Sequence, residues 1–306
     1  MSCLYAGRLT VLALACLPVL AIATAQRTFV SGHGTDNATC SIVAPCRAFS
    51  AAHSATTAGG EIIVLDSAGY GPVTVTKSIS IVAPPGIYAG ISVFANAGIR
   101  VDGSGISVVL RGLTLVGQGA IGLSGVFFTQ GAKLTVQDCD ISRMTNYGIY
   151  AIATDAVVSV KSTVLRENFI GFGGVGVKAV LDDVHLHDNS STGVDAGDDT
   201  KMTVTNSVIA NSGTDGFYVH AFDTHVTDVM ITGSTIGRAT NGIHAASAFN
   251  GTVRVVVDNC ALDELVATAF LFDGGSKAII YTMGNNRVGF NNGFFAGGTL
   301  TPLGPL

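Results

Sequence analysis

The chain has 306 residues, of which 48% are hydrophobic and 12% charged, with 39 glycines, no tryptophan and a mean hydropathy of +0.49. A net charge of −5 with no cluster of Lys or Arg excludes the electrostatic footprint of a nucleic-acid or anionic-lipid binder. Beyond the first 25 residues no run of about 18 uncharged apolar residues occurs, which excludes a spanning helix from the body of the chain and leaves a soluble protein able to bury a large core.

Residues 1–25 read as a cleavable signal peptide: Arg8 is the positive end, Leu9 to Ala23 the apolar region, and Ala23, Thr24 and Ala25 the small-residue cleavage site before Gln26. A lipoprotein signal at Cys16, after Ala13, Leu14 and Ala15, is the alternative. Pro18 and the shortness of the apolar run oppose an uncleaved anchor. Cleavage removes Cys3 and Cys16 and leaves Cys40, Cys46, Cys139 and Cys260 in a compartment where disulfides persist. Cys40 and Cys46 flank a short loop and are expected to pair. Zinc is the competing reading, but neither a CxxC spacing nor a His at metal spacing accompanies them.

A short helix is predicted over Pro45 to Thr57, with Phe49 and Ala52 on its apolar face and Gly59 and Gly60 ending it. It would plug the open end of a repeat array. That array announces itself as a glycine followed by an apolar residue at Gly122, Gly148, Gly171, Gly193, Gly216 and Gly242, with spacings of 26, 23, 22, 23 and 26. Upstream of each glycine lies an alternating apolar run of strand period, such as Leu134 to Cys139, Met202 to Ser207 and Val255 to Cys260. A leucine-rich repeat has a similar unit length, but its leucine framework is missing. The pattern predicts an all-β parallel β-helix with three short strands per coil. Its expected divisions are a cap segment at 26–60, the helix at 61–288 and a loose C-terminal cap at 289–306.

Coils stacked ~4.8 Å apart turn equivalent positions into ladders along the axis. Asn168, Asn189 and Asn211 occupy similar turn positions and are expected to be structural. Cys139 and Cys260 fall at equivalent places about five coils, roughly 24 Å, apart, and are expected to be buried free thiols.

Several segments together are similar to exported bacterial right-handed β-helix proteins of the pectin-lyase-like superfamily. They are Arg27 to Gly32, Ala44 to Arg47, Gly59 to Asp66, Thr76 to Ile81 and Val109 to Leu115. The resemblance implies the fold over nearly all of the mature chain, but not an activity, because that superfamily includes lyases, hydrolases, esterases, epimerases, tailspikes and adhesins. The polygalacturonase motifs are out of order here, with Gly32-His33-Gly34 first, Asp198-Asp199 next and Thr214-Asp215-Gly216 last. The tryptophan-containing signature of the best-known pectate lyases is missing as well.

Aligning coils on the repeated glycine puts Tyr150, Gly173, Asp195, Tyr218 and His244 in one outward column, the composition of a sugar-binding face. An ordinary solvent-facing ladder is the plainer alternative. Turn residues Asp198, Asp199, His220 and Asp223 could enlarge that cluster, as a carboxylate pair about one coil apart or as a calcium site. Asp is also a common turn residue. His185 and His187 flank Leu186 and share a side with Asp182, Asp183 and Asp188, yet solvated strand positions explain them without a metal. Arg143, Arg166 and Arg238 recur in the turn before the glycine, where a lyase would neutralise a uronate carboxylate.

The leading expectation is an exported protein, periplasmic or released, that binds a polysaccharide through Tyr150, Asp195, Tyr218 and His244. No nucleic-acid partner, no resident metal and no cofactor are expected, calcium being the one candidate. A polysaccharide lyase or glycoside hydrolase working through Asp198, Asp199 and His220 is the alternative, and a structural or adhesive surface protein is a third class.

Overall fold

The computed structural model describes residues 25–119, 123–274 and 277–303, so the predicted signal peptide, apart from Ala25, lies outside the described residues. The short β-branched runs form strands whose side chains alternate between core and solvent. In Lys178–His187, for example, Ala179, Leu181, Val184 and Leu186 are buried, while Val180, Asp183 and His185 face out. Each strand pairs in parallel with its equivalent one coil away: Lys133, Val157, Lys178, Lys201, Asp228 and Arg254 form one continuous register. The result is a parallel β-helix with three faces. The third face is a ten-stranded sheet running from Val73–Val75 to Gly293–Ala296. Inward Val, Ile, Leu and Phe fill one continuous core, each contributing roughly 1.5–3 kcal/mol by leaving water.

The repeated glycine exists because of the coil above it. A methyl group on Gly148 would lie 2.6 Å from the Gly171 carbonyl oxygen, one on Gly171 2.7 Å from that of Gly193, and one on Gly216 2.7 Å from that of Gly242. Only glycine lets the backbones approach so closely. The first unit of the sequence repeat is displaced, however. Gly122 lies outside the described residues, and the ladder position before Gly148 is held by Gly125, whose methyl would meet the Gly148 carbonyl at 2.6 Å. Val126 accordingly registers with Ile149, and Phe127 with Tyr150.

The turns use left-handed residues at fixed places. Arg143, Glu167, Asp188, Asn211, Arg238 and Glu264 form one such column. Asn211 therefore does not share a position with Asn168 and Asn189, which lie one residue further on and are buried. Those two bond between coils. Asn168 Oδ1 accepts from Met144 N at 3.0 Å and its Nδ2 donates to Ile141 O at 3.1 Å, and Asn189 Oδ1 accepts from Asn168 N at 3.1 Å. A buried amide chain of this kind is stable because every member is satisfied.

Cys139 and Cys260 are free and buried in equivalent positions. Thr163, Val184, Ser207 and Ser234 occupy the same column between them, Val184 being the one member without a polar hydrogen. Each hydroxyl there donates to the carbonyl two residues back, at 2.7 to 3.0 Å, and each thiol does the same at 3.2 Å, so the cysteines stand in for serines. Burial pushes the Cys139 thiol up to about 12, which keeps it unreactive.

At the N-terminal end, strand Ala25–Val30 pairs with Thr56–Val64, and Cys40 is bonded to Cys46. The helix spans Phe49–Ala55 and begins later than the predicted Pro45. Cys46 is held as strand instead, its N–H donating to Phe29 O and its carbonyl accepting from Ser31 N, both at 2.9 Å. Phe49 packs its ring 5.1 Å from that of Tyr70. Asp66 ties this cap together: Ser31 Oγ, Gly32 N and the Tyr70 hydroxyl all donate to its carboxylate at 2.6 Å. At the other end, strands Arg287–Gly289, Gly293–Ala296 and Thr301–Pro302 continue all three faces through the segment predicted as a loose cap. Among the described residues no helix is long and apolar enough to cross a membrane.

Those three donors hold the Asp66 carboxyl at about 2, below its ordinary 3.8. A depressed carboxylate stabilises the folded state above its unfolded value and ceases to do so as pH falls through the folded one. The contribution is therefore complete above about pH 4 and lost towards pH 2. Asp66→Asn should lower stability by about 1 kcal/mol at neutral pH, solvent screening reducing the full effect of the shift, and flatten the acid limb between pH 4 and 2. Thermal melts of both proteins across that range would check this.

Candidate functional site

The outward column on the third face is present in the register. Arg100, Phe127, Tyr150, Gly173, Asp195, Tyr218, His244 and Leu271 lie on successive coils. What the residues do within it differs from a plain ladder, because two glycines leave gaps that longer side chains fill. A methyl on Gly173 would lie 2.4 Å from the Tyr147 ring, and one on Gly197 2.8 Å from the His220 ring. Tyr147 and His220 lean through these gaps to Asp195. The Tyr147 hydroxyl donates to Oδ2 at 3.3 Å and His220 Nε2 to Oδ1 at 3.1 Å. Asp195 is thus held between a phenol two coils below and an imidazole one coil above.

A second, parallel arrangement lies one step along. His244 Nδ1 donates to Asp215 Oδ2 at 3.2 Å, Asn241 Nδ2 donates to Asp215 Oδ1 at 2.8 Å, and Thr268 Oγ1 donates to Asn241 Oδ1 at 2.9 Å. All four side chains of the two His–Asp pairs are mostly buried. His220 Nδ1 and His244 Nε2 are buried too and have no partner among the described residues.

The aromatic rings stack on one another. Tyr150 lies parallel to Phe127 at 5.4 Å and to Tyr147 at 4.1 Å, and Tyr218 sits 4.9 Å from both His220 and His244. Both faces of the Tyr150 ring are therefore covered, and neither is left to stack on a sugar. What it offers outward is an edge and a hydroxyl. Burial, with Asp195 second, raises Tyr147 and Tyr150 above the usual phenol range. Burial also raises Tyr218, with Asp195, Asp215 and Asp273 adding to it. All three phenols keep their protons at physiological pH and serve as donors.

His220 was grouped in the sequence with Asp198 and Asp199, but the structure does not bring them together. Asp198 Oδ1 accepts from Phe222 N at 2.8 Å, while Asp199 accepts from Val226 N at 3.1 Å and pairs with His225 at 2.6 Å. The expected stacking of Asp199 on Asp223 fails on loop length. Lys201 follows Asp195 by six places, whereas Asp228 follows Tyr218 by ten, so Val226 and not Asp223 lies beside Asp199. Both aspartates border a cavity of ≈ 710 Å³ at the turn that leads from the third face into the strand Lys201–Thr205. His185 and His187 point outward at the end of the strand Lys178–His187 and meet Asp183 at 3.8 Å and Asp188 at 2.7 Å. Among the described residues no three His, Cys, Asp or Glu side chains converge as metal ligands would. Arg143, Arg166 and Arg238 are paired with Glu167, Asp140 and Glu264 in the turn preceding the third face.

Sequence reasoning missed Tyr147, Asp215 and the gap-forming role of Gly173 and Gly197. A second column was readable one place before the repeated glycine, where Tyr147, Thr192, Asp215 and Asn241 stand. Gly173→Ala should expel the Tyr147 ring from its stack. Because the chain has no tryptophan, near-ultraviolet circular dichroism reports tyrosine packing directly, and a loss of signal in the variant with an unchanged far-ultraviolet spectrum is the expected result.

The family description "Right handed beta helix region" matches residues 124–295. No curated protein matches the chain. Among solved structures, the chain is similar to the pectate lyase Pel9A, with 18% identity over 87% of this chain and 78% of that one and a TM-score of 0.67. It is also similar to a polygalacturonase from Erwinia carotovora ssp. carotovora, with 10% identity over 94% and 99% of the two chains and a TM-score of 0.56. The enzymatically active domain of bacteriophage CBA120 tailspike protein 2 shares 10% identity over 77% of this chain and 38% of that one, with a TM-score of 0.54. At these identities the likeness is one of fold.

Proposed function

This chain belongs to the right-handed β-helix family, and from that premise we propose that its third face binds a glycan along the solenoid axis through a row of hydrogen-bonding edges. The observation that carries the reading is the convergence of Tyr147 and His220 on Asp195 through the gaps at Gly173 and Gly197. Sugar hydroxyls both donate and accept. Phenol hydroxyls and carboxylates in alternation along an axis meet both needs, and a rigid sheet presents them with little ordering cost. The hydroxyls of Tyr150 and Tyr218 are the natural first contacts, with Asp195 and His244 between and beyond them. The glycan-acting names of the pectate lyase and the polygalacturonase are in keeping with such a ligand.

An exported chain would meet such a ligand. The Cys40–Cys46 bridge is in keeping with an oxidising compartment, periplasmic or outside the cell, and the leader-like residues 1–25 would deliver the chain there.

A catalytic reading has one observation in its favour: Asp195 lies between a protonated phenol and an imidazole, groups able to move a proton at a sugar carbon or oxygen. It places any chemistry at Asp195 and not at Asp198 or Asp199.

Tyr150→Phe and Tyr218→Phe keep the rings and remove the hydroxyls. Each should weaken glycan affinity by about three- to tenfold, the worth of one net hydrogen bond of about 1 kcal/mol, while Asp199→Asn leaves it unchanged. Titration calorimetry against a polysaccharide panel measures this, and mass spectrometry of the incubated glycans separates the two readings. Product that disappears in Asp195→Asn, with binding kept, establishes catalysis.

A further inference from the structure

The charge on the third face narrows the ligand class, an inference that rests on the glycan-binding reading above. From the strand Tyr147–Ala151 to the strand Thr268–Asp273, the outward positions carry three carboxylates, Asp195, Asp215 and Asp273, and no Lys or Arg among the described residues. Asp195 and Asp215 are held by Tyr, His and Asn donors, none of which carries a permanent charge. The nearest cation on the column is Arg100, two coils below Tyr150. It is occupied, bonding Asp102 at 3.0 Å with its guanidinium 5.5 Å from the Phe127 ring centroid. The arginines of the preceding turn each face a carboxylate, as does Lys178 at the following turn, 3.3 Å from Asp155.

A polyuronate would set a carboxylate on every sugar against this row. Two like charges about 4 Å apart cost about 1 kcal/mol even in water, and more on a partly desolvated face. No bidentate arginine repays that cost. We infer that the ligand of the third face is an uncharged, hydroxyl-rich glycan and not a uronic acid polymer. Alternating phenol donors and carboxylate acceptors satisfy hydroxyls without a counter-charge.

Calorimetry of the full chain with four probes tests this: polygalacturonate, the same polymer fully methyl-esterified, an uncharged galactan, and chitosan. The expected result is binding to the galactan or the methyl ester that is insensitive to salt and weakened by Tyr218→Phe, with polygalacturonate at least about tenfold weaker at low ionic strength. Leu271→Arg supplies a positive control on an outward position in register with His244, and should strengthen polygalacturonate binding about tenfold while leaving the galactan unchanged. Preferential binding of polygalacturonate or chitosan, weakened by Tyr218→Phe, would overturn the uncharged class while leaving glycan binding at this face intact. Binding of none of the four, by a protein with an intact β spectrum, would overturn the glycan reading and this inference with it.

Discussion

The structure depends on one constraint, the parallel hydrogen-bond register that sets each coil on the next. Once Lys133, Val157, Lys178 and Lys201 stand over one another, every other position is fixed to a column, and each column has a single physical demand. The glycine column must leave room for the carbonyl above it. The turn columns must adopt left-handed backbone. The column holding Cys139, Thr163, Val184, Ser207, Ser234 and Cys260 must be small enough to bury, and all but Val184 pair a polar hydrogen with the carbonyl two residues back. Residue choice that looks irregular along the chain is regular along the axis.

The same constraint builds the candidate site. In a strict ladder, like positions stack and nothing converges. Convergence at Asp195 arises because the ladder is broken twice, at Gly173 and Gly197, where a missing side chain lets Tyr147 reach two coils and His220 reach one. Small residues thus act on the site without touching a ligand. The rings fill the gaps by stacking on one another, which leaves phenol hydroxyls as the outward chemistry and, among the described residues of the third face from Tyr147 to Asp273, carboxylates as the fixed charge.

Much of this was legible in the sequence because it is local or periodic. The glycines from Gly148 to Gly242, the alternation of the strands and the column from Tyr150 to His244 all follow from counting at a fixed unit length. What failed did so where the unit length changes. Gly122 was aligned in place of Gly125 because a glycine followed by an apolar residue stands three places early. Asp223 was set on Asp199 because the intervening turn is four residues longer than the one before. Asn211 was put with Asn168 and Asn189, although one place separates a left-handed turn from a buried ladder. Tyr147 was missed for a different reason: its contact is with a residue 48 positions away, through a gap visible only once the coils are stacked.

The account stands on the third face being where a ligand lies, and the most direct test is residue-level footprinting. The protein would be labelled by carbene or hydroxyl radicals with and without a bound uncharged polysaccharide, and modification read by mass spectrometry. The account expects protection at Tyr150, Tyr218 and His244, with unchanged labelling of the exposed Val180 and Met230 on the strands Lys178–His187 and Val226–Thr232. Protection confined to those two strands, or to the turn around Asp198, Asp199 and His225, would contradict it and move the functional surface elsewhere.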